Sequence, residues 1–98
     1  MSTLHVLSHS PFTDTRLDSC LRLLGTADAL LLCGDAAYAL QPGTAACNEL
    51  SARRGLNLYV LDEDLQARGL ALPDWARAVD YPGFVELSIQ HDKVNTWL

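Results

Sequence analysis

The segment Asp28-Ala29-Leu30-Leu31-Leu32-Cys33-Gly34-Asp35 decides the fold of this 98-residue chain. Its apolar run, Ala29 to Cys33, has the length of a strand and no polar alternation, the pattern of a parallel strand covered on both faces. Asp28 opens the run, and Gly34 with Asp35 closes it. Such a strand needs strand neighbours at its edges and helices above and below it, so the flanking sequence is read for both.

Upstream, Thr3 to Leu7 reads as a first strand. Ser10 can cap a helix that begins at Pro11, because proline lacks only an N–H that would be unpaired there. In that helix Leu17, Cys20, Leu21 and Leu24 recur at three- and four-residue spacing and share one apolar face, and Gly25 supplies the stop. Downstream, Ala36 to Leu40 reads as a short helical turn. A second helix is expected from about Thr44 to Arg54, with Ala46, Cys47 and Leu50 on one side and Gly55 at its end.

Leu56 to Leu61 makes a third strand. Asp62, Glu63 and Asp64 then sit where a helix N-terminus favours negative charge, and the helix runs through Leu65 and Ala67 to Gly69. Ala76 to Tyr81 gives a fourth strand. From Pro82 to Gln90, Val85, Leu87 and Ile89 alternate like a strand while Phe84, Leu87 and His91 fit a helix; the βα rhythm upstream favours helix. The predicted order βαβαβαβα is an α/β fold, one domain over residues 1–98, with a mostly parallel sheet and helices on both faces.

Apolar residues make up 49% of the chain against 19% charged, slightly apolar-rich for so small a domain and consistent with a face left for a partner subunit. The formal charge of −5, from 7 Lys+Arg against 12 Asp+Glu, excludes the basic footprint of autonomous nucleic-acid binding. No apolar segment approaches the roughly 18 residues of a membrane span and no basic leader precedes an apolar run, so a cytoplasmic chain is expected. His5, His9 and His91 lack metal-ligand spacing, and Gly34-Asp35-Ala36 has neither a Walker lysine nor a dinucleotide fingerprint. Neither a metal nor a cofactor is expected. Ser8 or Ser10 with His9 lacks the GxSxG elbow of a hydrolase, and the acidic triplet at 62–64 reads as a helix cap and dipole partner.

The thiols are the strong nucleophiles, and their odd number, without a CxxC, argues against a disulfide framework or a zinc site. Cys20 lies within a helix, where activation is weak, although Arg16 four residues earlier can supply a cation. Cys33 ends the central strand, where open α/β sheets place ligands, and equally ends an apolar run. Cys47 reads as a core residue.

The segments Thr3 to Phe12 and Asp28 to Ala36 resemble the opening strand with its Ser-Pro and the second strand of the TusB/DsrH family, with Ala36 where that family usually has glycine. More specific are Tyr59 to Leu70, similar to the family's strand followed by Asp-Leu-x-Ala-Arg-Gly, and Val79 to Leu87 with the terminal Trp97. The resemblance implies a DsrEFH-like fold and a heterohexamer with two copies each of this chain, a TusC/DsrF-like subunit and a TusD/DsrE-like subunit. It also implies a TusBCD-like relay of persulfide sulfur toward 2-thiolation of the tRNA wobble uridine, in which the TusD-like partner carries the principal cysteine.

Asp18-Ser19-Cys20-Leu21 resembles the segment that carries a cysteine in DsrH-like chains, which makes Cys20 the candidate persulfide carrier or accessory thiol. Whether the chain is itself an enzyme stays open. So do two alternatives: a DsrH-like subunit of a DsrEFH complex in dissimilatory sulfur oxidation, and an interaction subunit with inert cysteines. The surface facing the partners is not fixed by the sequence; the segment Phe84 to Leu98 is a candidate, since Trp97 needs cover on its own core or on a neighbour.

Overall fold

The strand centred on Leu31 is the middle of a five-stranded sheet. The computed structural model describes residues 2–13, 15–53 and 55–97. Along it run β1 (Thr3–Leu7), α1 (Arg16–Leu23), β2 (Ala29–Leu32), a 3-10 helix (Gly34–Leu40), α2 (Ala45–Ala52), β3 (Asn57–Leu61), α3 (Asp62–Ala67), β4 (Arg77–Val79), α4 (Tyr81–Gln90) and β5 (Lys93–Trp97). The strand order is β4-β3-β2-β1-β5 and every pairing is parallel.

Leu30, Leu31 and Leu32 are 0% exposed, as a strand covered on both faces requires. Leu30 and Leu32 join the larger core cluster with Leu17, Cys20, Leu50 and Leu65, so α1, the 3-10 helix, α2 and α3 all serve that face. Ala29 and Leu31 point the other way, into a smaller cluster with Leu4, Val6 and Leu87. The only helix of that second cluster, among the described residues, is α4.

Helix α4 takes the form expected from the βα rhythm. The Asp80 side chain accepts the Gly83 N–H at 2.8 Å, Pro82 sits in the first turn, and Leu87 is buried. A Cβ on Gly83 would stand 3.1 Å from Asp80 Oδ1 and 3.2 Å from Val79 Cβ, so the cap closes tightly only over glycine.

Two expectations are corrected. Residues 11–13 form a turn and α1 begins only at Arg16, because the Ser10 hydroxyl accepts the Phe12 N–H at 3.2 Å and is committed to a local turn in which Pro11 fits equally well. The expected sheet also lacked β5. That strand is an exposed edge with Val94 as its one aliphatic residue, so it carries no core pattern. The expected end of α2 at Arg54 lies outside the described residues, and the helix is described to Ala52.

Trp97 finds its cover on its own chain: it packs against the larger cluster, and its indole Nε1–H donates to His5 Nδ1 at 3.1 Å. Indole nitrogen only donates, so His5 Nδ1 is the acceptor and Nε2 carries the proton toward Asp28 Oδ2, 3.4 Å away. Asp28 also accepts the Thr3 N–H at 2.9 Å and the Gly25 N–H at 2.9 Å. Its carboxyl is held below the ordinary carboxylate value, chiefly by the Gly25 bond and then, against the opposing effect of burial, by Thr3 and His5.

Asp28→Asn is expected to cost about 1–3 kcal/mol at neutral pH, as a charged acceptor of several bonds is lost. Because the folded pKa is depressed, this contribution is complete above the unfolded value near ~4 and lost as pH falls through the folded one. The gap between wild type and variant in urea denaturation should therefore narrow below about pH 4; a gap that holds constant to pH 2.5, roughly, would refute the charge as its source.

Candidate functional site

At the carboxyl edge of the sheet the chain turns from β2 into the 3-10 helix through Cys33 and Gly34. The Cys33 N–H donates to the Leu7 carbonyl at 2.9 Å, extending the β1–β2 ladder by one residue, and its Sγ–H donates to the same carbonyl at 3.3 Å. Gly34 has φ +52°, the left-handed region, and a Cβ there would stand 3.3 Å from the Ser8 carbonyl oxygen. Its N–H donates to Asp64 Oδ2 at 2.8 Å, so a carboxylate in the first turn of α3 holds the turn that ends the central strand.

Arg68, the residue after α3, completes the arrangement. One guanidinium nitrogen donates to the Asp64 carbonyl at 3.1 Å and lies 3.6 Å from Asp64 Oδ1. The other donates to Asp35 Oδ1 at 2.9 Å, and the group stacks over the Tyr38 ring, 5.7 Å from its centroid. Tyr38 in turn meets Phe12 at 6.2 Å between ring centroids. The Asp35 bond, followed by the charges of Asp35 and Asp64, holds the Arg68 guanidinium above its ordinary value. Gly34-Asp35 and Asp64-Leu65-Gln66-Ala67-Arg68-Gly69, two segments matched separately in the sequence, are thus one interlocked unit in space. Sequence reasoning assigned Asp64 to its own helix and missed its reach to Gly34; the available signal was the i, i+4 spacing of Asp64 and Arg68.

The three cysteines are free thiols in three different surroundings. Cys20 is 0% exposed on the inward face of α1, and its thiol is pushed up to about 12, first by burial and then by the Asp28 carboxylate. Cys33 is partly exposed, and its thiol is also raised, by burial and by Asp64, against a lowering effect of Arg68. Cys47 is 9% exposed, its N–H bound to the capping Thr44 Oγ1 at 3.2 Å, beside a groove of about 300 Å³ bordered by Leu40, Pro42, Leu72 and Trp75. Cys20 and Cys33 are therefore both shifted away from the thiolate, the Arg68 charge near Cys33 being outweighed by burial and Asp64. Among the described residues no group of His, Cys, Asp and Glu is arranged to hold a metal, and no helix is long and apolar enough to cross a membrane.

The parallel sheet, its two helical layers and the locked turn at its carboxyl edge define a small doubly wound α/β protein. The solved structure of the ychN protein from E. coli superimposes with a TM-score of 0.73, covering 99% of this chain and 100% of that one; at 19% identity the likeness concerns the fold. The family model described as DsrH like protein matches residues 9–94. Protein TusB of Erwinia tasmaniensis is 40% identical over 96 residues, which span 96% of this chain and 99% of that protein. Protein TusB of Yersinia enterocolitica and of Pectobacterium parmentieri are 33% and 35% identical over the same length. The chain belongs to the DsrH-like family.

Two outcomes follow from the geometry. In a pulse of iodoacetamide on the native chain, read by mass spectrometry of peptides, Cys33 should be alkylated first and Cys20 last, at the rate of global or α1 opening; early labelling of Cys20 would contradict its burial. Arg68→Ala should cost about 1–2 kcal/mol in denaturant melts, whereas Asp35→Ala, whose carboxylate is largely exposed, should cost less than about 1 kcal/mol. Equal costs would place the stabilisation in the surface pair alone.

Proposed function

We infer that the chain is a cytoplasmic subunit of a TusBCD-like sulfurtransferase complex, relaying persulfide sulfur toward 2-thiolation of the tRNA wobble uridine, and that its own contribution is mainly structural. The observation that carries this reading is the 33–40% identity to TusB proteins over nearly the whole chain, combined with the raised thiols of Cys20 and Cys33. Its partners are a TusC-like and a TusD-like subunit, with two copies of each chain in the assembly, and the TusD-like chain carries the principal cysteine. With a charge of −5 it does not bind tRNA by itself.

A second reading keeps Cys20 as an accessory persulfide carrier, favoured by the match of Asp18-Ser19-Cys20-Leu21 to the cysteine-bearing segment of DsrH-like chains. In that step the Cys20 thiolate attacks the terminal sulfur of a donor persulfide, a new S–S bond forms on Cys20 as the donor's own S–S bond breaks, and the donor leaves as a thiolate that takes up a proton. The step requires α1 to open, since the sulfur is sealed in the core. The placement of the relay in dissimilatory sulfur oxidation gains no support from the relatives, whose name is TusB.

The test is to load the purified three-subunit complex from a persulfide donor and weigh each chain. The TusD-like chain should gain sulfur and this chain should not, and Cys20→Ser should leave thiolation in cells within about twofold of wild type. Added sulfur on Cys20 overturns the structural reading in favour of the carrier, and a complex that never forms overturns the subunit assignment.

A further inference from the structure

The apolar surface that the fold leaves open is concentrated on one element. On α4, Tyr81, Val85 and Ile89 follow one another at i, i+4 and i+8 on the outward face and are 53%, 54% and 77% exposed. Val94 of β5 is half exposed and lies opposite Leu4 in the parallel register, so it faces the same side of the sheet as α4. Among the described residues that side is served by one helix while the other side is served by four helical segments. A parallel sheet is stable when both faces are covered, and here the cover is thinnest toward the open edge at β5.

These four residues expose on the order of 400 Å², the size of the largest apolar patch on an ordinary monomer, about 300–600 Å² and often functional, and about half of the ~800 Å² that a standard interface takes from each partner. The patch is thus of a size to form the apolar centre of an interface whose rim adds the rest. Its charges select the occupant. Glu86 is exposed and flanks the row of Tyr81, Val85 and Ile89 on the Ile89 side, and among the described residues no cation pairs with it. Asp80 and Asp92 stand near the two ends of α4, with Lys93 as the nearby cation at the start of β5. A second copy docking here by a two-fold axis would bring Glu86 against the same face and set −5 against −5.

We propose that the α4 face, Tyr81, Val85 and Ile89 with Val94 of β5, is the docking surface for a non-identical subunit that lays an apolar helix along it and places a basic side chain opposite Glu86. The proposal rests on the reading of the chain as a subunit of a hetero-oligomeric relay and names the surface by which it assembles. Leu23 on α1 is comparably exposed but stands outside this patch, which makes it the control.

The experiment co-expresses the full chain with its TusC-like and TusD-like partners and measures recovery of the complex. Val85→Asp with Ile89→Asp should reduce recovery about tenfold or more, and Glu86→Lys should weaken assembly by itself, while Leu23→Asp leaves it unchanged. Circular dichroism and a thermal melt of each isolated variant show that it is folded; α4 buries Leu87 and not these outward residues, so the fold should survive. A photo-crosslinker at position 89 should join this chain to a partner subunit. If the wild-type complex forms and the folded α4 variants assemble equally well, the surface is wrong and the relay reading stands. If crosslinks join two copies of this chain, the non-identical occupant is wrong. If wild type assembles with neither partner, both readings fall.

Discussion

An all-parallel sheet cannot leave either face to water, and this constraint organises the molecule. Its central strand is apolar at every position because both sides are buried, and a run such as Ala29 to Leu32 has no polar side to offer solvent. Crossovers must then supply helices to two layers. Here they do so unequally: among the described residues α1, the 3-10 helix, α2 and α3 crowd one face, and α4 alone packs on the other. The inward residues of α4, Leu87 and Phe84, are spent on the sheet, so its outward tyrosine, valine and isoleucine have no intramolecular task. A helix with apolar residues on both sides is of the kind that lies between two layers, and α4 covers the sheet with only one of its sides.

The same central strand is fixed at both ends by carboxylates. At its start Asp28 gathers the Thr3 and Gly25 N–H groups and faces His5, which in turn receives the indole of Trp97, so one side chain links the beginning of β1, the turn after α1 and the end of β5. At its end Asp64 holds the Gly34 N–H while Arg68 ties Asp35 to α3. A bond from a backbone N–H to a partly buried carboxylate contributes about 1–2 kcal/mol, more than an ion pair whose carboxylate is largely exposed, so the Gly34–Asp64 bond outweighs the Arg68–Asp35 pair. The carboxyl edge, where open α/β sheets gather ligands, is here filled by the protein's own groups.

Most of this was legible in the sequence where burial imposes a period. The apolar run at 29–33 and the four-residue spacing of Leu17 and Leu21 announced their elements correctly, and the βα rhythm placed α4, whereas Asp80 and Tyr81, expected at the end of the fourth strand, are the cap and first residue of that helix. What was hidden lacked such a signal. An edge strand such as β5 is mostly solvated, and its place is set by Trp97 reaching His5, a contact 92 residues apart in sequence. Ser10-Pro11 offered a helix start and formed a turn, because the two structures use the same residues in their first steps. At the site, the types and spacing of Asp64 and Arg68 were visible, but their partners lie about thirty residues upstream and only the fold brings them together.

The core position of Cys20 bears on what a relay subunit can do. Burial, and after it the Asp28 carboxylate, pushes that thiol up to about 12, so little of it is thiolate at neutral pH. To that deficit is added the absence of any exposed sulfur surface. A donor persulfide would have to wait for α1 to lift, which costs the burial of Leu17, Cys20 and Leu21 together. As a small apolar side chain in the same place, Cys20 needs no such event and fills the layer between α1 and the sheet. In the closed fold the physical role of this helix is to seal the core, and chemistry at its sulfur would require a partner whose docking stabilises the opened form.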